Sequence, residues 1–316
     1  MSVYLVTGGA GFIGSNIVEA LVKKGEQVKV IDNFSSGKKE NLSDYLDKIE
    51  LIEGDIQDLS ILKKVVGGVD YILHQAALRS VPRSIDNPAS YNEVNVGGTL
   101  NVLIAAKEAR VSRVVYASSS SIYGDTEIFP ERESTLPLPI SPYAASKLAG
   151  EYYCYVFSKV YGLETVSLRY FNVFGPRQSL ETQYAVVVPR FIISMLNNES
   201  PPVHGDGRQS RDFTYVDNVV EANIRAATTP GISGQVFNIA CGKEYTVLDL
   251  IDHLNRIMRK NLRPRFTPPR PGDVRRTLAD TSKVRNLLKL ETLVDFEQGL
   301  KKTVEWFKVH RDEYEQ

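Results

Sequence analysis

Tyr143 and Lys147 stand four residues apart in Tyr143-Ala-Ala-Ser-Lys147, a spacing that puts a phenol and an ammonium on one face of one helix. A free phenol has a pKa of about 10, too high for a base at neutral pH, and a nearby cation favours its ionised form. The pair can therefore take a proton from a substrate hydroxyl. Alone, the pattern is common on solvated helices. The cluster Ala117-Ser118-Ser119-Ser120-Ser121-Ile122-Tyr123-Gly124 strengthens it, because it follows an apolar strand run at 113–117, at the carboxyl edge where ligands of parallel sheets gather. Ser119 suits hydrogen-bonding the oxygen whose proton Tyr143 removes. A serine-rich turn without chemistry is the bland alternative.

Upstream, Thr7-Gly8-Gly9-Ala10-Gly11-Phe12-Ile13-Gly14 follows the first strand run and opens a helix. Such glycines let the backbone turn sharply and approach a pyrophosphate, while the free N–H groups and dipole of the helix start face its charge. Asp32 closes the second strand, where an acid binds adenosine ribose hydroxyls. The sequence thus predicts a dinucleotide site. The carboxylate favours NAD over NADP, although Lys38 and Lys39 stand close by. Asp55-Ile56 either reaches the adenine edge or is a turn.

These groups need a scaffold. Apolar runs at 3–6, 27–31, 49–52, 71–73, 113–117 and 165–168 alternate with amphipathic stretches at 13–24, 59–66, 99–109 and 143–161. That rhythm predicts an α/β chain with a Rossmann-type doubly wound parallel sheet. After Pro176 it breaks into a smaller α/β unit with helices near 188–197, 216–227 and 247–258 and a Pro-rich stretch at 263–272. The run at 236–239 is apolar enough to rejoin the first sheet. The expected domains are therefore 1–176 plus 213–241 for NAD and 177–212 plus 242–316 for a second ligand. The 316 residues carry 38 Lys+Arg against 38 Asp+Glu. This zero net charge argues against a nucleic-acid or anionic-membrane partner, and no apolar run is long enough to span a bilayer. A soluble cytoplasmic protein is expected. Cys154 and Cys241 are expected to be buried thiols, and no His or Cys spacing suggests a metal.

Gly8-x-x-Gly11-x-x-Gly14, Asp32, Asn95-Val-Gly-Gly-Thr99, the serine cluster, Tyr143/Lys147, Arg169-Tyr170-Phe171-Asn172-Val173-Phe174-Gly175-Pro176 and Arg270-Pro-Gly-Asp273 together resemble the extended short-chain dehydrogenase/reductase family, most closely its UDP-hexose 4-epimerases. The resemblance covers essentially the whole chain. It implies Ser119, Tyr143 and Lys147 as the catalytic set. It lines the cofactor with Gly8, Gly11, Phe12, Ile13, Gly14, Asp32, Asn33, Ser36, Gly37, Asp55, Ile56, Gln75, Ala76, Ala77, Asn95, Tyr143, Lys147 and Tyr170. The implied reaction is removal of hydride from sugar C4 by tightly held NAD, rotation of the 4-keto sugar, and return of the hydride to its other face.

Family 4,6-dehydratases resemble Thr-Asp-Glu where this chain has Ser119-Ser120-Ser121, and decarboxylases tend to have Glu at the last position. The serines therefore disfavour dehydration and, less strongly, decarboxylation. By the same resemblance the UDP-sugar meets Arg79, Ser80, Arg83, Ser119, Ser120, Ser121, Asn172, Ala185, Val186, Val187, Pro202, His204, Arg211, Arg270, Asp273 and Thr277. Arginines suit a diphosphate because their planar fork donates two hydrogen bonds at once. Strict UDP-glucose/galactose epimerases tend to have a bulky Tyr where this chain has Thr277, so a C2 acetamido group should fit, and UDP-glucose and UDP-N-acetylglucosamine are the expected substrates. Arg79 and Arg83 also suit a C6 carboxylate, which keeps UDP-glucuronate 4-epimerase open, as are a decarboxylase or reductase of the family. A stoichiometric oxidoreductase would consume NAD; a non-catalytic scaffold would have lost Tyr143 or Lys147. Aromatic residues on several sides of the 143–161 helix, among them Tyr152 and Tyr155, suggest a homodimer through a four-helix bundle.

Overall fold

The structure is a computed structural model and describes residues 1–180, 187–269 and 274–313. Its centre is a seven-stranded parallel sheet of β1 (Val3–Thr7), β2 (Gln27–Asp32), β3 (Ile49–Glu53), β4 (Tyr71–His74), β5 (Arg113–Ser119), β6 (Glu164–Tyr170) and the Gln235–Ile239 strand. The order across the sheet is Gln235–Ile239, β6, β5, β4, β1, β2, β3. All seven apolar runs are strands, each one to three residues longer than its run, and the 236–239 run does rejoin the sheet, in register with β6 from Val166 to Tyr170.

The β-branched alternation of the strands explains the layers. Val6, Val30, Leu73 and Val115 point to one face and Leu5, Ile31, Ile72 and Val114 to the other, all essentially inaccessible to water. Helix α1 (Phe12–Lys23) and the Val216–Thr228 helix cover the first face. The Leu59–Val65, Thr99–Glu108 and Pro142–Val160 helices cover the second. The first core does not stop at the sheet. It continues through Phe174, Phe191, Leu250 and Phe307, so the helices Val187–Leu196, Val247–Met258 and Phe296–Val309 share it.

Sequence periodicity missed the Phe296–Val309 helix and the short helices Val81–Asp86, Pro88–Tyr91 and Ser282–Leu288. The Asn92–Gly98 segment is a π-helical turn leading into the Thr99–Glu108 helix. Cys154 is a buried free thiol as expected, while Cys241, also free, is only half-buried. Among the described residues no helix is long and apolar enough to cross a membrane.

Candidate active site

The sheet order reverses between β1 and β4, and at their carboxyl ends opens a cleft of about 410 Å³. Gly8 turns with φ 67°, and a Cβ on Gly14 would lie 2.2 Å from the Gly8 carbonyl oxygen, so the first turn of α1 can close on the strand only as glycine. Gly14→Ala is expected to release bound cofactor and to cost about 1–3 kcal/mol of stability. Cofactor absorbance of the purified protein and a urea melt read both, and unaltered cofactor content would remove Gly14 from this role. Asp32 is buried; its two oxygens accept from the backbone N–H groups of Ala10 (2.9 Å) and Phe34 (2.8 Å). Burial pushes its carboxyl above the ordinary range, against the pull of those two bonds. Each oxygen keeps a lone pair, so the carboxylate can still accept from ribose hydroxyls. Next to Asp32, Asn33 donates to Asp55 at 2.7 Å, and Gln75, Tyr170 and the buried Asn223 form one hydrogen-bonded group. The glycine turn, the acid and the open volume fit a dinucleotide.

Of the residues expected around the cofactor, all but Asn95 line this cleft. Asn95 sits behind its wall, fully buried. Its amide accepts from Leu78 N–H (2.8 Å) and donates to Leu78 O (3.0 Å) and Ser146 Oγ (2.9 Å), which uses its capacity on the scaffold. The cleft also contains residues that sequence reasoning did not name, among them Leu78, Ser90, Val94, Arg177 and Ser179. For Arg177 a signal existed: a cation directly after Gly175-Pro176, just past the carboxyl end of β6.

Ser141 caps the Pro142–Val160 helix, its hydroxyl accepting from Ala144 N–H at 3.2 Å, and Pro142 occupies the first turn, where no N–H is needed. One stripe of this helix carries Tyr143, Lys147 and Glu151 toward the sheet. Glu151 and Arg169 of β6 are both buried and doubly bonded at 2.8 and 2.9 Å, and Ser118 donates to Glu151 at 2.5 Å. The stripe is thereby locked to β5 and β6. Lys147 donates to the Ala117 carbonyl at 2.9 Å. Ser121 Oγ donates to Ser119 Oγ at 2.9 Å, the Ser119 hydroxyl acts on the Tyr143 phenol, and the Tyr143 ring meets Tyr91 edge-on at 6.3 Å.

The titration of this group differs from the expectation that Lys147 activates Tyr143. Burial raises the phenol above its ordinary value; the Ser119 hydroxyl and the charge of Arg79 pull the other way and do not prevail. Burial also pushes Lys147 down to about 7. A desolvated ammonium held on a carbonyl is a weaker local cation than the spacing alone suggests.

The residues expected around the sugar nucleotide fall in separate places. Arg79 lines the cleft with Tyr143. Ser80 is buried and caps the Val81–Asp86 helix by accepting from Arg83 N–H at 3.3 Å, while Arg83 is exposed. Ser120 and Ser121 form the turn after β5. Asn172, in the left-handed region at φ 37°, donates to Thr277 Oγ1 (2.9 Å) and to Asp212 O (3.1 Å), which brings it beside the Ser210–Asp212 strand that carries Arg211. Val187 begins a helix, and Pro202 and His204 lie on a strand paired with Arg265–Thr267. Ala185, Val186, Arg270 and Asp273 lie outside the described residues. Asp212, which the sequence did not single out, is fully buried and accepts from Cys241 N–H and Gly242 N–H, both at 2.9 Å.

Residues 4–240 match the NAD dependent epimerase/dehydratase family. A solved structure of UDP-N-acetylglucosamine 4-epimerase from Methanobrevibacter ruminantium M1, in complex with UDP-N-acetylmuramic acid, superposes with a TM-score of 0.94 at 42% identity, covering 98% of this chain and 99% of that one. The UDP-glucose 4-epimerase of Mycolicibacterium smegmatis is 38% identical over 96% of this chain and 98% of its own. A UDP-glucuronate 4-epimerase of Thermodesulfobacterium geofontis is 34% identical over 98% and 97%. With the glycine turn, the Asp32 carboxylate and the Tyr143/Lys147 stripe meeting in one cleft, the chain belongs to the NAD-dependent epimerase/dehydratase family, in the part of it that holds the UDP-sugar 4-epimerases, and its cofactor is NAD.

Proposed function

We propose that this enzyme inverts C4 of a UDP-hexose, interconverting UDP-glucose with UDP-galactose and UDP-N-acetylglucosamine with UDP-N-acetylgalactosamine. The observation that supports the reading is that Tyr143 and Lys147 line the same cleft as the glycine turn and Asp32, with the Ser119 hydroxyl favouring the phenolate and serines, not carboxylates, at positions 120 and 121. The cleft lined by Tyr143 and Lys147 would hold NAD, which would supply a hydride acceptor and donor for C4 and a positive charge. Tyr143 takes the C4 hydroxyl proton and later gives it back. Ser119 hydrogen-bonds the same oxygen, and Ser121 holds the Ser119 hydroxyl in place. Lys147, anchored on Ala117 O, faces the cleft as a donor for the cofactor's ribose. In this reading residues 1–176 plus 213–241 hold NAD, and 177–212 plus 242–316 grip the nucleotide while the 4-keto sugar turns. With no acid–base pair at 120 and 121, water elimination has no agent.

Incubation with UDP-glucose, UDP-N-acetylglucosamine and UDP-glucuronate separately, with C4 stereochemistry read by proton NMR, tests the proposal. Lack of inversion with all three would reject it. Thr277 supports tolerance of the acetamido group, being small and beside Asn172. Thr277→Tyr is expected to lower kcat/KM for UDP-N-acetylglucosamine about 10–100-fold while changing that for UDP-glucose by less than about threefold. Equal losses would sink the specificity role. A second reading, UDP-glucuronate, is favoured by Arg79, whose charge acts on Tyr143 within the same cleft.

The enzyme works as a homodimer in this proposal. Phe157 of the Pro142–Val160 helix is buried, but Tyr152, Tyr155 and Val160 on the same helix are 57%, 51% and 67% exposed. Such an apolar surface on one helix suits a second copy. Light scattering at micromolar concentration is expected to give twice the chain mass; a monomer excludes the dimer.

A further inference from the structure

The cleft holds one guanidinium that the catalytic scheme does not use. Arg177 follows the Gly175-Pro176 turn beyond β6 and lines the cleft with Gly11, Phe12 and Gly14. Its backbone is in the left-handed region at φ 66°, which for a residue with a side chain is an imposed conformation. Two contacts fix the segment against α1: Asn16 donates to the Pro176 carbonyl at 3.3 Å, and Arg177 Nη2 donates to Glu19 Oε2. Glu19 is held in turn by Lys23, which donates to its other oxygen at 2.5 Å. The second terminal nitrogen of Arg177, Nη1, is buried and has no hydrogen-bond partner among the described residues. A buried guanidinium nitrogen left without an acceptor is costly unless a ligand supplies one.

We infer that Arg177 is a clamp for the cofactor's diphosphate, with Nη1 donating to a phosphate oxygen while Glu19 holds the other arm of the fork. The chemistry matches. The helix start offers neutral N–H donors to the pyrophosphate, and a permanently charged planar fork adds a charge-assisted bond. The Glu19 pairing orients the fork and leaves one arm for the ligand. Because Arg177 lies on the segment that leaves the sheet for the smaller unit, bound cofactor also ties that segment to α1.

The test uses the purified holoenzyme and is independent of which sugar is turned over. In Arg177→Met, exchange of bound NAD for isotope-labelled NAD is expected to be at least about tenfold faster than in the parent. Competition locates the loss chemically. Adenosine, which has no phosphate, should displace NAD from the variant at about tenfold lower concentration than from the parent, whereas ADP-ribose, which shares the diphosphate, should need the same concentration relative to NAD. Unaltered exchange overturns the inference. So does faster exchange with an unchanged adenosine requirement, because general loosening of the site weakens adenosine and NAD alike. If the Met variant fails to fold, Arg177→Lys carries the test: it keeps the charge but not the fork, and the same two readings should move by about threefold. A Lys variant with parental exchange overturns the inference.

Discussion

Tyr143→Phe is expected to lower kcat by about 10²–10⁴-fold while the protein still purifies with NAD. The substitution removes one oxygen, the atom proposed to take the C4 proton, and leaves the ring that packs edge-on against Tyr91. Folding and cofactor retention should therefore be nearly parental, and the loss should fall on kcat with KM little changed. The pH dependence adds a second reading. Burial raises this phenol before the cofactor's charge is present, so its ionisation has to be drawn down within the complex by Ser119, Arg79 and the bound ring. Ser119→Ala should accordingly move the activity limb of the parent to higher pH, since it removes a bond that favours phenolate. A Phe variant with parental kcat excludes Tyr143 as the base.

Lys147→Met should lower kcat on a similar scale and also weaken NAD retention, because it deletes the donor held between Ala117 O and the cleft. Its effect on stability has a definite sign. Burial drops Lys147 to about 7 from its ordinary value of 10.5. Between those two pH values the unfolded chain holds a proton that the native chain has shed, so Lys147 lowers stability near neutral pH, and that penalty disappears as pH rises toward 10. Relative to the Met variant, the cofactor-free parent should gain up to about 4 kcal/mol across pH 7 to 10. Urea melts of both proteins at pH 7, 8, 9 and 10 measure the difference. A parallel pH dependence would mean that Lys147 is solvated and not buried in the charge-averse setting described.

Signals contained within a short stretch of chain were legible in advance. The turn at Gly8 to Gly14 and the acid at Asp32 declared a dinucleotide site, because a glycine turn between a strand and a helix has few other uses. Four-residue spacing put Tyr143 and Lys147 on one face before any coordinate was known. The apolar run at 236–239 was equally local, and its apolarity pointed to its return to the sheet. Helix Phe296–Val309 escaped because it lies past the Pro-rich stretch, where the strand–helix rhythm no longer guides assignment.

Other features depended on partners far along the chain. Arg177 reaches Glu19 across 158 positions, Asn172 reaches Thr277 across 105, and Asn95 spends its amide on Leu78 and Ser146 instead of lining the cleft. No spacing rule announces such pairs. The sequence by itself determined which reactive groups this protein owns and the fold that carries them: a glycine turn, an acid closing the second strand, a serine cluster and a Tyr–Lys stripe on a doubly wound sheet. Only the tertiary structure decided how those groups titrate and which of them face the cleft. Burial moves Tyr143 up and Lys147 down, reversing the simple reading of a cation beside a phenol, because the cost of charge depends on how much water the folded chain excludes and not on the order of residues.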